Sequence, residues 1–230
     1  MALAALLLIA APAIAAPAKR ATPRAPVARD WTQFVRQTPQ GYFVLGNPAA
    51  RVKIVEYLSF TCPHCAHFAA ESAAVLKGQM IRSGSTSIEY RPIGRDQIDL
   101  GATLLARCAG TAGFVGAAEE IFARQDDWLG LGINFLQRDA GRFALDTPLE
   151  QVRAGAQSTG LVDLMRARGL SDARIDACFA DRAALTHILM TGETSRKLID
   201  GTPTFFVNGT KAPASDWTRL EPILRAAGGR

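Results

Sequence analysis

Val52-Lys53-Ile54-Val55-Glu56-Tyr57-Leu58-Ser59-Phe60-Thr61-Cys62-Pro63-His64-Cys65 is the stretch from which the fold can be read. It opens as a run of β-branched and apolar residues and stops at a Cys-x-x-Cys containing Pro63, the pattern of a buried strand turning into a helix. Cys62 then falls at the helix N-terminus, where unpaired backbone N–H groups and the macrodipole favour an anion, so its thiolate forms more readily than that of an ordinary cysteine. His64, when protonated, can lie near that sulfur and hold the thiolate further. Along the strand, alternation places Val52, Ile54, Glu56, Leu58 and Phe60 on one face. A carboxylate among apolar side chains is costly, and burial without a partner pushes its pKa up. The other outcome is that Glu56 finds an arginine or reaches water.

The pair Cys62 and Cys65 reads as a redox-active disulfide. Three other readings compete with it. A zinc site needs four ligands, and Cys62, Cys65 and at most His67 have no second Cys-x-x-Cys downstream, so no metal is expected. Two inert buried thiols would be ordinary core residues. A purely structural disulfide within one helical turn would add little stability, because so short a loop removes little chain entropy.

With 230 residues, 48% hydrophobic and 20% charged, the chain can bury the core of one globular domain or of a domain carrying an insertion. The formal charge of +5 is scattered, with no Lys/Arg block in the folded part, so no nucleic-acid partner is expected. Met1 to Ala18 is almost all Ala and Leu, and Ala13-Ile14-Ala15 fits the small-x-small rule for signal peptidase. Residues 1–15 are therefore read as a signal peptide leading to the periplasm, although the segment carries no Lys or Arg. An uncleaved membrane anchor is the alternative, in a run that is short for a span and holds Pro12 and Pro17. Export would place the four cysteines where disulfides persist.

Residues 16–40 read as a flexible leader, its early part Ala, Pro and Arg with nothing to bury, and Trp31 to Val35 as a short helix or turn. A first strand is predicted over 42–45, ended by Gly46-Asn47-Pro48. A helix from Cys65 to about Arg82 and a third strand over 87–93, parallel to the Cys62 strand, follow. Over 96–199 the periodicity is helical, with breaks predicted near Gly110 to Gly113, Gly130 to Gly132, Asp146 to Pro148, Gly160 and Gly169 to Ser171. Strand character returns after Asp200, with Asn208-Gly209 as a hairpin turn and a closing helix over 217–227 capped by Ser215-Asp216.

The ordered motifs Glu56, Cys62-Pro63-His64-Cys65, Gln125-Asp126-Asp127-Trp128 and Gly201-Thr202-Pro203-Thr204-Phe205 resemble those of the DsbA family of thiol–disulfide oxidoreductases. The resemblance runs from Tyr42 to the C-terminus. It implies an α/β thioredoxin fold with an inserted α-helical domain: residues 41–95 and 200–230 as the two parts of the thioredoxin domain, 96–199 as the insertion. It implies Cys62 as nucleophile, Cys65 as resolving thiol, Glu56 as proton relay and Pro203 as a cis-proline, where sequence alone predicts trans. Thr202 and Pro203 would then contact an extended substrate strand. The implied partners are reduced exported proteins and a DsbB-like membrane quinone oxidoreductase; no cofactor is called for.

Cys108 and Cys178 lie on apolar sides of predicted helices and are expected as a structural disulfide, with buried free thiols the alternative. A monomer is expected, because the short leader leaves no room for the dimerisation domain of the related isomerases. Thr202 before Pro203 resembles reductases and isomerases, so a disulfide reductase or isomerase is the rival activity. A redox-inert chaperone or zinc-binding module is the rival from another class.

Overall fold

A computed structural model describes residues 29–143 and 147–230; the predicted signal peptide and most of the leader lie outside the described residues. Its strands are β1 (Val35–Gln37), β2 (Phe43–Gly46), β3 (Val52–Leu58), β4 (Thr86–Pro92), β5 (Thr204–Val207) and β6 (Thr210–Lys211). They form one sheet in the order β1-β2-β4-β3-β5-β6. Strand β3 lies inside it, parallel to β4 and antiparallel to β5. This is why the apolar run is buried over most of its length. A parallel neighbour requires a crossover, and helix α1 (Pro63–Ser72) with the π-helical segment Ala73–Ile81 supplies it.

Between β4 and β5 run α2 (Gln97–Cys108), α3 (Gly110–Ala123), α4 (Gln125–Phe143), α5 (Pro148–Ser158), α6 (Leu161–Ala167), α7 (Asp172–Phe179) and α8 (Arg182–Ser195); α9 (Trp217–Ala226) closes the chain. The helix starts follow side-chain chemistry. Asp96 accepts from Asp99 N–H, Thr147 and Glu150 form a capping box before Pro148, Ser171 accepts from Arg174 N–H, and Asp216 accepts from Arg219 N–H. Each satisfies a donor that the first turn would leave unpaired. The insertion is sewn to the sheet by aromatic contact: the ring of Phe114 on α3 stacks on Phe43 of β2 at 3.9 Å between centroids. Cys108, ending α2, is bonded to Cys178 of α7, with Cα atoms 5.8 Å apart.

Three details differ from the sequence expectations. The sheet begins before residue 41: Val35 to Gln37 pairs with β2, so the last part of the expected leader belongs to the domain. This edge strand is mostly exposed and shows no alternation to betray it. The helix expected to run to Arg82 is α-helical only to Ser72, and Arg82 N–H then bonds to Lys77 O, five residues back. The wider turn brings the adjacent Met80 and Ile81 inward together, at 0% and 1% exposure. No break occurs at Gly130 to Gly132, because Gly132 serves close packing inside α4: a Cβ there would lie 3.0 Å from Thr159 Cγ2 and 3.3 Å from Ile98. The closing helix accommodates Pro222 in its interior.

The Asn208-Gly209 turn joins β5 to β6 with φ of 50° and 86°, the positive values that a two-residue hairpin demands. Phe114 is fully buried and bridges insertion and sheet. Phe114→Ala is expected to cost about 3–5 kcal/mol, read as a lower denaturant midpoint, and a cost below about 1 kcal/mol would mean the two layers do not depend on this stack.

Candidate active site

Strand β3 delivers its chain to a turn, Ser59 to Cys62, and Cys62 is the N-cap of α1 with Pro63 in the first position. Proline fits there because that N–H would be unpaired anyway. The Cys62 and Cys65 sulfurs are thiols in this structure, both buried. Their environments drive them apart. The Cys62 thiol is lowered to about 5, chiefly by a hydrogen bond from the Cys65 thiol, with the Thr202 side chain and the backbone N–H groups of Cys65 and His64 adding to it against the cost of burial. Cys65 is pushed well above the ordinary thiol range, first by burial, then by the hydrogen bond it gives Cys62 and by the Glu56 charge. At neutral pH one sulfur is an anion and the other holds its proton.

Glu56 is 3% exposed, and burial raises its carboxyl to about 8. No arginine pairs with it among the described residues. It sits in register with Tyr90 of β4 on one side and Phe205 of β5 on the other. A narrow cavity of about 50 Å³ joins Glu56 to Tyr90, Lys77 and Glu119, and Lys77 Nζ bonds both Glu119 oxygens at 2.6 and 2.7 Å. The Tyr90 phenol is raised by burial and by the charges of Glu56 and Glu119.

Opposite Cys62, the Thr202–Pro203 peptide is cis. The Thr202 carbonyl lies 3.1 Å from Cys62 Sγ and accepts its proton when the thiol is neutral. His64 is exposed, and its backbone N–H is what bears on the sulfur. The expected site residues Glu56, Cys62, His64, Cys65, Thr202 and Pro203 thus gather around the end of β3. Cys108 and Cys178 lie apart from it, in the helical layer. Among the described residues no group of three or more His, Cys, Asp or Glu could hold a metal ion.

The sequence reading passed over the polar frame of the turn. Asp99 Oδ1 accepts Phe60 N–H and Oδ2 accepts Arg95 N–H, each at 2.7 Å. Thr61 Oγ1 donates to Asp96 Oδ2 at 2.6 Å, and Arg95 donates to Thr61 O at 2.9 Å. Gln125 Nε2 donates to Phe60 O at 2.6 Å and to Cys62 O at 3.1 Å. Asp96 stands at the first position of the helical periodicity, where a helix-start side chain is sought. The reach of Asp99 and Gln125 to the turn has no local signal, since their partners lie 39 and 65 residues away.

The thioredoxin family model matches residues 38–226. A protein of Rickettsia typhi named as a protein-disulfide oxidoreductase is 30% identical over 172 residues, 73% of this chain and 55% of that protein. One of Rickettsia bellii, named likewise, is 29% identical over 170 residues, 73% of this chain and 57% of that protein. The chain therefore spans about half the length of the curated relatives it matches. A solved protein-disulfide isomerase from Novosphingobium aromaticivorans superposes with a TM-score of 0.74 at 32% identity, covering 80% of this chain and 96% of the other. The alpha-DsbA1 of Wolbachia pipientis shares the fold, with a TM-score of 0.65 at 19% identity over 83% of this chain and 92% of that one.

Glu56 sets a pH dependence of stability. Its folded pKa lies above the unfolded one, so its contribution is fully present below pH 4.5 and is lost as pH rises through about 8. Asp99, raised to about 6 mainly by burial, adds the same sign at lower pH. Glu56→Gln is expected to gain stability over the parent at pH 8 and not at pH 4, in parallel denaturation series at the two pH values. An equal difference at both would show that burial does not move the Glu56 carboxyl from its unfolded value.

Proposed function

The chain belongs to the thioredoxin family, and on that premise we propose that it is a thiol–disulfide oxidoreductase that introduces disulfides into exported proteins through Cys62 and Cys65. The supporting observation is the asymmetry of the pair: Cys62 held as a thiolate at a helix N-terminus, Cys65 held as a thiol over a buried acid. In the oxidised enzyme, a substrate thiolate attacks Cys62 Sγ. The Cys62–Cys65 bond breaks and Cys65 leaves, taking a proton from the Glu56 carboxyl, which at about 8 is protonated at neutral pH and close to its midpoint. A second substrate thiolate then attacks the substrate sulfur of the mixed disulfide and releases Cys62 as thiolate. The substrate loses two electrons, and the enzyme holds them as the dithiol.

Because Cys62 is a good leaving thiolate, the reduced form is favoured and the oxidised form is a strong oxidant. The backbone at Thr202, beside the cis Pro203 and 3.1 Å from Cys62 Sγ, is placed to pair with an extended substrate strand irrespective of its sequence. In this reading the protein is periplasmic, acts as a monomer, and passes its electrons to a DsbB-like membrane quinone oxidoreductase. A second reading, reduction or isomerisation, is favoured by Thr202 and by the isomerase name of the Novosphingobium relative.

Equilibration in glutathione buffers, with alkylation of free thiols, separates the two. A potential near about −120 mV is expected of a disulfide donor; one near about −270 mV would place the protein among reductants, and one near about −180 mV among isomerases. Cys62→Ser is expected to abolish exchange, whereas Cys65→Ser leaves Cys62 able to attack and accumulates mixed disulfides with substrate. If Cys62→Ser retains exchange, the nucleophile is another thiol. Light scattering of the purified protein tests the monomer, and dependence of reoxidation on membranes and quinone tests the partner.

A further inference from the structure

The Gln125-Asp126-Asp127-Trp128 stretch has no part in the exchange chemistry above, yet it is built toward the redox turn. Trp128, 3% exposed, donates Nε1–H to Ile121 O at 2.8 Å and so locks the start of α4 against the end of α3. Arg124 and Asp127 pair at 3.2 Å across the same junction. The junction aims Gln125, itself 3% exposed, at the turn carrying the nucleophile. Its Nε2 donates to the carbonyls on both sides of Thr61, at 2.6 Å to Phe60 and 3.1 Å to Cys62.

The Cys62 carbonyl is also the acceptor for Cys65 N–H at 3.1 Å and Ala66 N–H at 3.3 Å. Those bonds make the first turn of α1, whose N–H groups face the sulfur. A donor on that carbonyl fixes the turn and places the positive end of an amide dipole beside the residue that carries the anion. The disulfide form has no such charge to stabilise. Two buried carbonyls would also lose a donor if the amide were removed.

We propose that Gln125 is a positioning residue of the redox pair, through which the inserted helices hold the Cys62 turn and favour the reduced, thiolate form over the disulfide. The inference rests on the redox reading of Cys62 and Cys65. It differs from that reading in assigning part of the thiolate's stability to a side chain that touches neither sulfur.

The test replaces Gln125 by methionine, close in volume and without donors, in the full chain. Gln125→Met is expected to raise the Cys62 titration, followed by thiolate ultraviolet absorbance, by about one pH unit. It should also shift the equilibrium with glutathione about tenfold toward the disulfide, a fall of about 30 mV in potential. Asp126→Asn, in the same motif, exposed and outside the Arg124–Asp127 pair, should leave both unchanged. A merely structural Gln125 would lower the stability of reduced and oxidised forms alike and leave the titration and the equilibrium as in the parent; that result overturns the inference. Should Gln125→Met fail to fold, Gln125→Leu removes both donations without adding charge, and the same two readouts must move in the same direction or the inference fails. A parent protein with no exchange activity would sink the redox reading instead.

Discussion

A sulfur anion at the start of α1, above an uncharged acid, is the constraint around which the rest of the structure is arranged. Holding charge on Cys62 requires donors without competing water, and these come from Cys65, from Thr202 and from the first-turn N–H groups. Keeping Cys65 protonated requires burial, and the same burial keeps the proton on Glu56. The two requirements meet only where a buried central strand ends at a helix N-terminus. Strand β3, covered on both edges by β4 and β5, provides that place, and Pro63 starts the helix without wasting a donor.

The helical layer bears on this site as well as enlarging the molecule. Asp96, Asp99 and Arg95 at the start of α2 and Gln125 at the start of α4 between them hold the backbone of Phe60, Thr61 and Cys62. Buried polar groups of this kind are costly unless every one is paired. The turn satisfies its own peptide groups by borrowing side chains from the insertion. The layer is itself tied to the sheet by the stack of Phe114 on Phe43 and cross-linked within by the Cys108–Cys178 bond. The cavity joining Glu56 to Tyr90, Lys77 and Glu119 adds polar neighbours to the acid from β4, the crossover segment and α3.

Much of this was legible before any coordinates. Alternation along β3 placed Glu56 on the inner face, and a Cys-x-x-Cys after an apolar run marked a strand turning into a helix. Asn208-Gly209 marked the hairpin, and Ser215-Asp216 the cap of the closing helix, because a cap's chemistry is local. Local signals failed where a residue answers to something distant. Gly132 looked like a breaker and is a packing contact for Ile98 and Thr159. Val35 to Gln37 looked like leader and is a sheet edge.

What the sequence by itself determined is therefore the set of local commitments: which run is a strand, on which face of it Glu56 lies, and which sulfur stands at a helix N-terminus. These follow from periodicity, capping and the dipole of the first turn, all readable within a few residues. Only the tertiary structure decided what surrounds the sulfurs. The Thr202 carbonyl reaches Cys62 across 140 residues of chain, and Gln125 reaches Cys62 across 63. Such contacts depend on how the sheet and the helical layer close on each other, and closure is a property of the packed core that no short stretch of sequence contains.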